Sequence, residues 1–486
     1  MINSSSIFSK AKESIAQKLL FGNEPNPELI AILLIYFVQG ILGLARLAVS
    51  FFLKDELGLT PAEVSALMGI ATLPWIVKPL FGFISDGLPI LGYRRRPYII
   101  LSGLLGAASW IGLSTIVNTA WAATLAMILS SLSVAFSDVI ADSIVVEKAK
   151  SESLSNAGSL QSVSWAASAL GGITTAYLSG YLLEHFSTHT IFFITSLFPL
   201  IVSAVAWLID ESPVNNRQDW QAIANQLKQL RQAITQKSIW MPTAFIFIWQ
   251  CTPSADAALF FFTTNELGFQ PEFLGRVRLV TNLAALVGVW LFQRFFKSVP
   301  FRNIFGWSIL ISTALNMTTL LLVTHTNRTL GIDDHWFSLG DSLILTVMGQ
   351  IAFMPILVLS ARLCPDGIEA TFFALLMSVT NLAALLSYEF GAMMMHWLGI
   401  TETNFSSLWL LVLLTNLSSL LPLVLLGWLP DSDAQLQTAK KSQLIIQNEG
   451  HNLEAIELDN KRAMEIEAIT QEITQESQTI EKIPTY

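Results

Sequence analysis

Two hexapeptides decide how this chain is read: Glu56-Leu57-Gly58-Leu59-Thr60-Pro61 and Glu266-Leu267-Gly268-Phe269-Gln270-Pro271. They stand 210 residues apart, and Phe51-Phe52 precedes the first as Phe261-Phe262 precedes the second. Each follows a long apolar run. An internal match at this spacing predicts a chain built from two copies of one helical unit.

Working outward, 52% of the 486 residues are hydrophobic and 13% charged, with a mean hydropathy of +0.55 and a formal net charge of -9. Soluble domains carry about 25% charged residues, so an ordinary globular enzyme and a disordered chain are both excluded. A hydrocarbon core of about 30 Å takes roughly 20 helical residues to cross. Runs of that length predict twelve spans, at 29–53, 64–84, 98–117, 120–144, 157–183, 190–209, 240–263, 273–296, 303–324, 341–361, 369–396 and 406–429. They are too continuously apolar for barrel strands, which alternate. The first 28 residues lack the apolar segment of a cleaved signal.

Lys and Arg favour cytoplasmic loops. With the N-terminus inside, Lys10, Lys12, Lys18, Arg94, Arg95, Arg96, Lys148, Lys150 and Arg217 fall on the inner side with many others, and the outer loops hold only Lys54 and Arg328. Both termini are thus expected in the cytoplasm. The domains read as a cytoplasmic segment (1–28), a six-helix bundle (29–209), a cytoplasmic central loop (210–239), a second bundle (240–429) and a tail (430–486). The central loop has room for an amphipathic helix from Trp220 to Ile234. Beyond Pro430 there are eleven acidic and five basic residues; Ile466, Ile469, Ile473 and Ile480 suit one amphipathic helix, and a solvated tail is the alternative. Acidity argues against nucleic-acid binding. Cys251 and Cys364 are not expected to pair. No histidine falls in the bilayer core, so no metal or haem ligated there is expected, and no cofactor.

An ionisable group inside a span faces a cavity or a partner. Asp138 and Asp142 of span 4 are i and i+4, which sets two carboxylates on one face about 6 Å apart. Such a pair resists joint ionisation and is a candidate proton-coupling site; the competing reading has it satisfied by Lys or Arg from neighbouring helices. Arg46 and Asp256 share the 210-residue offset, which suggests a cavity ion pair, or a substrate-binding arginine with its counter-ion. Arg276 and Arg278 project from different faces of span 8, so one is expected to point inward, with snorkelling to the interface as the alternative. Lys78, before Pro79, is expected to pair with Asp86 or Asp138. Gln39, Gln161, Gln250, Asn282, Gln350 and Asn381 serve either as interhelical bonds or as ligand contacts. Trp165, Trp249, Tyr36 and Phe353 offer aromatic faces for stacking or packing.

Between spans 2 and 3 the chain runs from Gly82 through Asp86 and Gly92 to Arg94, Arg95, Arg96 and Pro97. This resembles the signature of the major facilitator superfamily, with a stretched segment between Asp86 and Gly92. Its physics is a conformational latch, in which a carboxylate bridges to arginines and to a helix N-terminus until transport breaks the contact. Four further stretches are Trp75 to Gly82 around Lys78-Pro79, Asp138 to Glu147, Asn265 to Val277, and Leu363 to Thr371. Together they resemble the folate-biopterin transporter family of cyanobacteria, plastids and trypanosomatids, a branch of that superfamily, over nearly all of residues 29–429.

The resemblance implies an all-α membrane fold of two pseudo-symmetric six-helix bundles. It further implies a monomeric secondary active transporter of folates or pterins, working by alternating access with proton symport. In the superfamily, spans 1, 4, 7 and 10 line the cavity, which places Arg46, Asp138, Asp142, Asp256 and Gln350 near it. A pterin ring would stack on aromatics and bond to amides, while the two carboxylates of a glutamate tail would meet Arg46, Arg276 or Arg278. A bacterial inner membrane is favoured over a chloroplast envelope because no long transit segment precedes span 1. A carrier of another organic solute and a non-transporting assembly factor are the alternatives. An enzyme or a primary pump is disfavoured: the spans hold no nucleophile-base set or metal ligands, and no nucleotide-binding glycine loop with its lysine occurs.

Overall fold

The computed structural model describes residues 26–151, 159–213, 234–296, 299–363 and 369–429. Cys364, most of the Trp220 to Ile234 stretch and the tail from Pro430 onward lie outside these residues. Helices make up the described elements, with one isolated bridge between Ile90 and Tyr93 in the loop after span 2. In lipid no water is available to satisfy backbone polar groups, so each span bonds them internally.

Among the described residues ten helices are long and apolar enough to cross a membrane, beginning with Pro27–Glu56, Pro61–Ser85, Arg96–Thr115 and Ala120–Val145. After these come Thr188–Leu208, Pro271–Phe296, Phe301–Val323, Asp334–Ser360, Phe372–Trp397 and Leu408–Trp428. The other two expected spans are also helical, but each departs from a continuous apolar rod. Span 5, Ser159–His185, is diluted by Ser, Gly and Thr. Span 7 is broken: Lys237–Gln250 gives way to irregular residues 251–255 before Asp256–Phe261. Span 10 starts earlier than the apolar run suggests, because Asp334 at its N-terminus is held by Asn327 (2.7 Å) and Arg328 (2.7 Å). Exposed Leu101, Leu104, Leu283 and Leu286 give the bundle an apolar surface, and exposed Trp121, Trp207, Trp336 and Trp397 stand near span ends as an aromatic belt would. The chain is an all-α multi-pass membrane protein.

The hexapeptide repeat is a repeat of geometry. Spans 1 and 7 both end in a π-helical turn, Phe52–Glu56 and Phe262–Glu266. The Leu57 N–H bonds to the Phe52 carbonyl at 3.0 Å and the Leu267 N–H to the Phe262 carbonyl at 3.1 Å. Gly58 (φ 63°) and Gly268 (φ 69°) then reverse the chain in the left-handed region that glycine enters without strain. Pro61 and Pro271 open the next helices, where a missing N–H costs nothing. The two copies face each other. Phe51 meets Phe260 edge-on at 5.2 Å, and the Lys54 ammonium sits over the rings of Phe51 and Phe261, at 5.4 and 5.9 Å, while donating to Asn265 at 2.8 Å.

Further bridges between the halves gather at this same end. Ser65 donates to the Tyr388 carbonyl (2.9 Å) and Tyr177 to Glu272 (2.9 Å). Spans 5 and 8 touch backbone to backbone: a Cβ at Gly180 would lie 2.3 Å from the Pro271 carbonyl oxygen, and one at Gly275 would lie 2.9 Å from the Gly180 Cα. Small residues give such approach in membranes, where packing replaces the hydrophobic drive. Gly180→Val should therefore lower stability by about 1–3 kcal/mol through overpacking, read as an earlier thermal unfolding midpoint in detergent. An unchanged midpoint would show that the contact is not tight.

Candidate functional site

Span 1 does not run straight through the membrane. At Leu42-Gly43 it makes a turn, with the Gly43 N–H on the Gly40 carbonyl (3.1 Å) and the Arg46 N–H on the Gly43 carbonyl (3.2 Å). Irregular backbone at membrane depth is tolerated where it borders a cavity or protein, and a cavity of about 680 Å³ opens there between spans 1, 4, 5 and 8.

Two guanidiniums face this cavity. Arg278 of span 8 donates to the Gly43 carbonyl (3.0 Å) and reaches Ser179 Oγ at 3.4 Å, crossing from one half to the other. Arg46, exposed on the cavity wall, stands near enough for its charge to oppose that of Arg278. Among the described residues neither has a carboxylate partner. Like charges so placed favour a bound anion. Around them lie the Gln39 amide, whose Nε2 is buried without a hydrogen-bond partner, the half-exposed indole of Trp165, and Asn282, which donates to the Gly172 carbonyl at 3.1 Å. An unmet buried donor costs about 1–3 kcal/mol, which an acceptor on a ligand would offset.

The acidic wall lies on span 4. Asp138 borders the cavity, is 8% exposed and is paired with Lys78, whose ammonium also rests over the Trp75 ring at 4.9 Å. Of the two partners expected for Lys78, the structure thus gives it Asp138. Asp142 lies one turn on and accepts a hydrogen bond from the hydroxyl of the cavity residue Tyr36. The carboxylates are close enough to interact electrostatically.

Other expected site residues stand elsewhere. Asp256 is exposed just after the break in span 7, its N–H on Ser254 Oγ at 3.1 Å, and forms no ion pair with Arg46. Arg276 is exposed and pairs with Glu272 at 2.7 Å, leaving Arg278 as the span 8 arginine in the cavity. Gln350 packs against Gly288 between spans 10 and 8 and does not line the cavity. In the loop of Gly82, Asp86, Arg94, Arg95 and Arg96, the Asp86 side chain lies outside the described residues. The carboxylate seen at the start of span 3 is that of Glu211: it accepts from the N–H groups of Arg94 (2.6 Å), Arg95 (3.0 Å) and Arg96 (2.9 Å). Three orphan N–H groups and the positive end of the helix are satisfied at once.

Glu211 follows span 6 and shows no spacing relation to the arginines, so its role was not readable in the sequence. Two intramembrane acids, Asp341 and Glu389, were readable as lone carboxyls in apolar runs. Asp341 accepts from Thr318 (2.5 Å) and Thr319 (3.0 Å) of span 9. No group of three or more metal-ligating side chains occurs among the described residues.

With this geometry in view, comparisons with known proteins are informative. The BT1 family profile matches residues 39–449. The chain is 60% identical over 426 residues to the folate-biopterin transporter of Synechocystis sp. (strain ATCC 27184 / PCC 6803 / Kazusa), covering 88% of this chain and 86% of that one. It is 31% identical to folate transporter 2 of Plasmodium falciparum, over 78% and 83% of the two chains. Among solved structures it is similar in fold to the nucleoside transporter NupG (TM-score 0.63, 13% identity, 82% and 98% covered). A D-xylose-proton symporter is also similar (TM-score 0.60, 14% identity, 84% and 99% covered). These likenesses reach across the broken spans and the repeat, and the chain belongs to the BT1 family of folate-biopterin transporters, non-enzymatic membrane proteins with the major facilitator fold.

Proposed function

We propose that this protein carries folates or pterins across a bacterial inner membrane by alternating access, with proton symport. The observation that carries the reading is the pair of cavity arginines, Arg46 and Arg278, without carboxylate partners. A folate presents a dianionic glutamate tail that suits two guanidiniums, and a pterin ring that suits Trp165 for stacking and Gln39 and Asn282 for hydrogen bonds. The name of the Synechocystis relative agrees with this chemistry.

The moving parts are the bundles 29–209 and 240–429, joined by the loop 210–239. Beyond the cavity, three of their side-chain bridges, Lys54 to Asn265, Ser65 to Tyr388 and Tyr177 to Glu272, stand at the end bearing the loops after spans 1 and 7. The Lys and Arg bias makes that end the outer one and puts both termini in the cytoplasm, so the state described is closed outside. From Arg46 and Arg278 the cavity extends inward past Gln39 to Tyr36, Trp165 and Asp138. Protonation of Asp138 would break its ion pair with Lys78 and free span 2 from span 4, while Asp142 keeps its bond from Tyr36. The arginine-rich loop from Gly82 and Asp86 to Arg96, braced by Glu211, latches one of the two conformations. Each monomer is a complete carrier.

Arg46→Ala and Arg278→Ala should each weaken folate binding about 10- to 100-fold, the worth of a charge-assisted bond. Arg276→Ala should change it less than about threefold, since its exposed ion pair contributes little. Equal losses for all three variants, measured by equilibrium binding in detergent, would refute the assignment. Asp138→Asn should abolish accumulation driven by a proton gradient in membrane vesicles while leaving substrate exchange intact; gradient-driven accumulation by this variant would remove Asp138 from the coupling step. In competition assays, folate and pterins should block uptake and uncharged sugars should not; the reverse order would point to another organic solute.

A further inference from the structure

Spans 2 and 11, one from each half, pack tightly on the closed side of the cavity. A Cβ placed on Gly69 would lie 3.0 Å from the Tyr388 Cβ and 3.1 Å from Oε1 of Glu389. That oxygen is buried and has no hydrogen-bond partner. The contrast with the other intramembrane acids is direct: Asp138 has Lys78, Asp142 has Tyr36 and Asp341 has two threonines.

Glu389 as a whole is partly exposed, but its inward oxygen is buried without a donor; ionisation would leave charge on that oxygen unmet, and the neutral acid lessens the cost. Ionisable groups on the elements around Glu389 are engaged elsewhere or do not bond to it. Glu63 is locked in a capping box with Thr60, Lys78 is on Asp138, Asp334 is on Arg328, and Asp333 holds His335. Cys251, Asp256, Tyr388 and His396 form no hydrogen bond or ion pair with Glu389 among the described residues.

We propose that Glu389 is held as a neutral acid while spans 2 and 11 are packed over its inward oxygen and releases its proton when they part and water reaches that oxygen. It is thereby a second protonation site, on the closed gate and separate from the Asp138 wall. The inference rests on the alternating-access reading but neither on the substrate nor on Asp138. The closed form binds one proton more than the open form, so closure is favoured at low pH. As pH rises through the titration the open population grows, by at most about tenfold per pH unit for one proton.

Hydrogen exchange followed by mass spectrometry on the full chain in lipid nanodiscs, without substrate, tests this directly. With rates corrected for the intrinsic effect of pH, protection of Pro61–Ala71 and of the segment around Tyr388 should fall as pH rises in the wild type. That fall should be absent in Glu389→Gln, where any response left from Asp138 runs the opposite way, toward less protection at low pH. A wild-type profile independent of pH, or a Glu389→Gln profile that falls as the wild type does, overturns the proposal. Glu389→Met, also uncharged, carries the same two outcomes if the glutamine variant fails to insert. Because no folate is present, failure here and failure of the substrate reading are told apart.

Discussion

Backbone hydrogen bonding in lipid is the constraint on which the rest of this structure depends. A span can leave the α-helical pattern only where protein or an enclosed cavity takes up the freed groups. Spans 1 and 7 leave it twice each, once at mid-membrane and once in a π-helical turn at the end. At mid-membrane the freed groups are met across helices: Arg278 takes the Gly43 carbonyl, and Ser387 of span 11 donates to Thr252 at 2.5 Å beside the break in span 7. The defect in span 1 and the cavity's arginines are therefore one construction. An arginine that repairs the backbone of the opposite half is also fixed in place beside the cavity, where the proposed anion would bind.

The same economy appears in the charges. A bundle with few ionisable groups inside must neutralise or enclose each, and three solutions occur side by side. Asp138 is paired with an ammonium, Asp142 and Asp341 accept from hydroxyls, and Glu389 has an enclosed oxygen that accepts from nothing. Each solution is broken by a different event: protonation for the ion pair, helix movement for the hydroxyl contacts, hydration for the lone acid. Conformational change and proton movement can thus be joined through residues on separate spans.

How much of the site was legible follows from what each residue's role depends on. Asp138 and Asp142 were visible because one helix carries both, and helical spacing alone puts them on one face. Arg46 stood out as a charge in an apolar run. Arg276 and Arg278 were indistinguishable: two residues apart on one helix, they differ only in which neighbour each meets, Glu272 or, across the cavity, Gly43. Lys78 had two acids within reach, and helix packing chose Asp138. Glu211 had no signal at all, because its work is done on backbone N–H groups more than a hundred positions away.

By itself, the sequence determined that the chain is a bundle of membrane helices, that its halves repeat, and which loops carry the positive charge. These follow from apolar run length, a 210-residue offset and charge bias, all properties of the chain taken in order. Tertiary structure alone decided where the helices break into a cavity, which arginine faces it, that Arg46 and Asp256 do not pair, and that Glu389 sits unpartnered where the halves meet. The physical reason is that burial and partnership inside lipid belong to contacts between helices, and one helix's sequence does not record which neighbour it will meet.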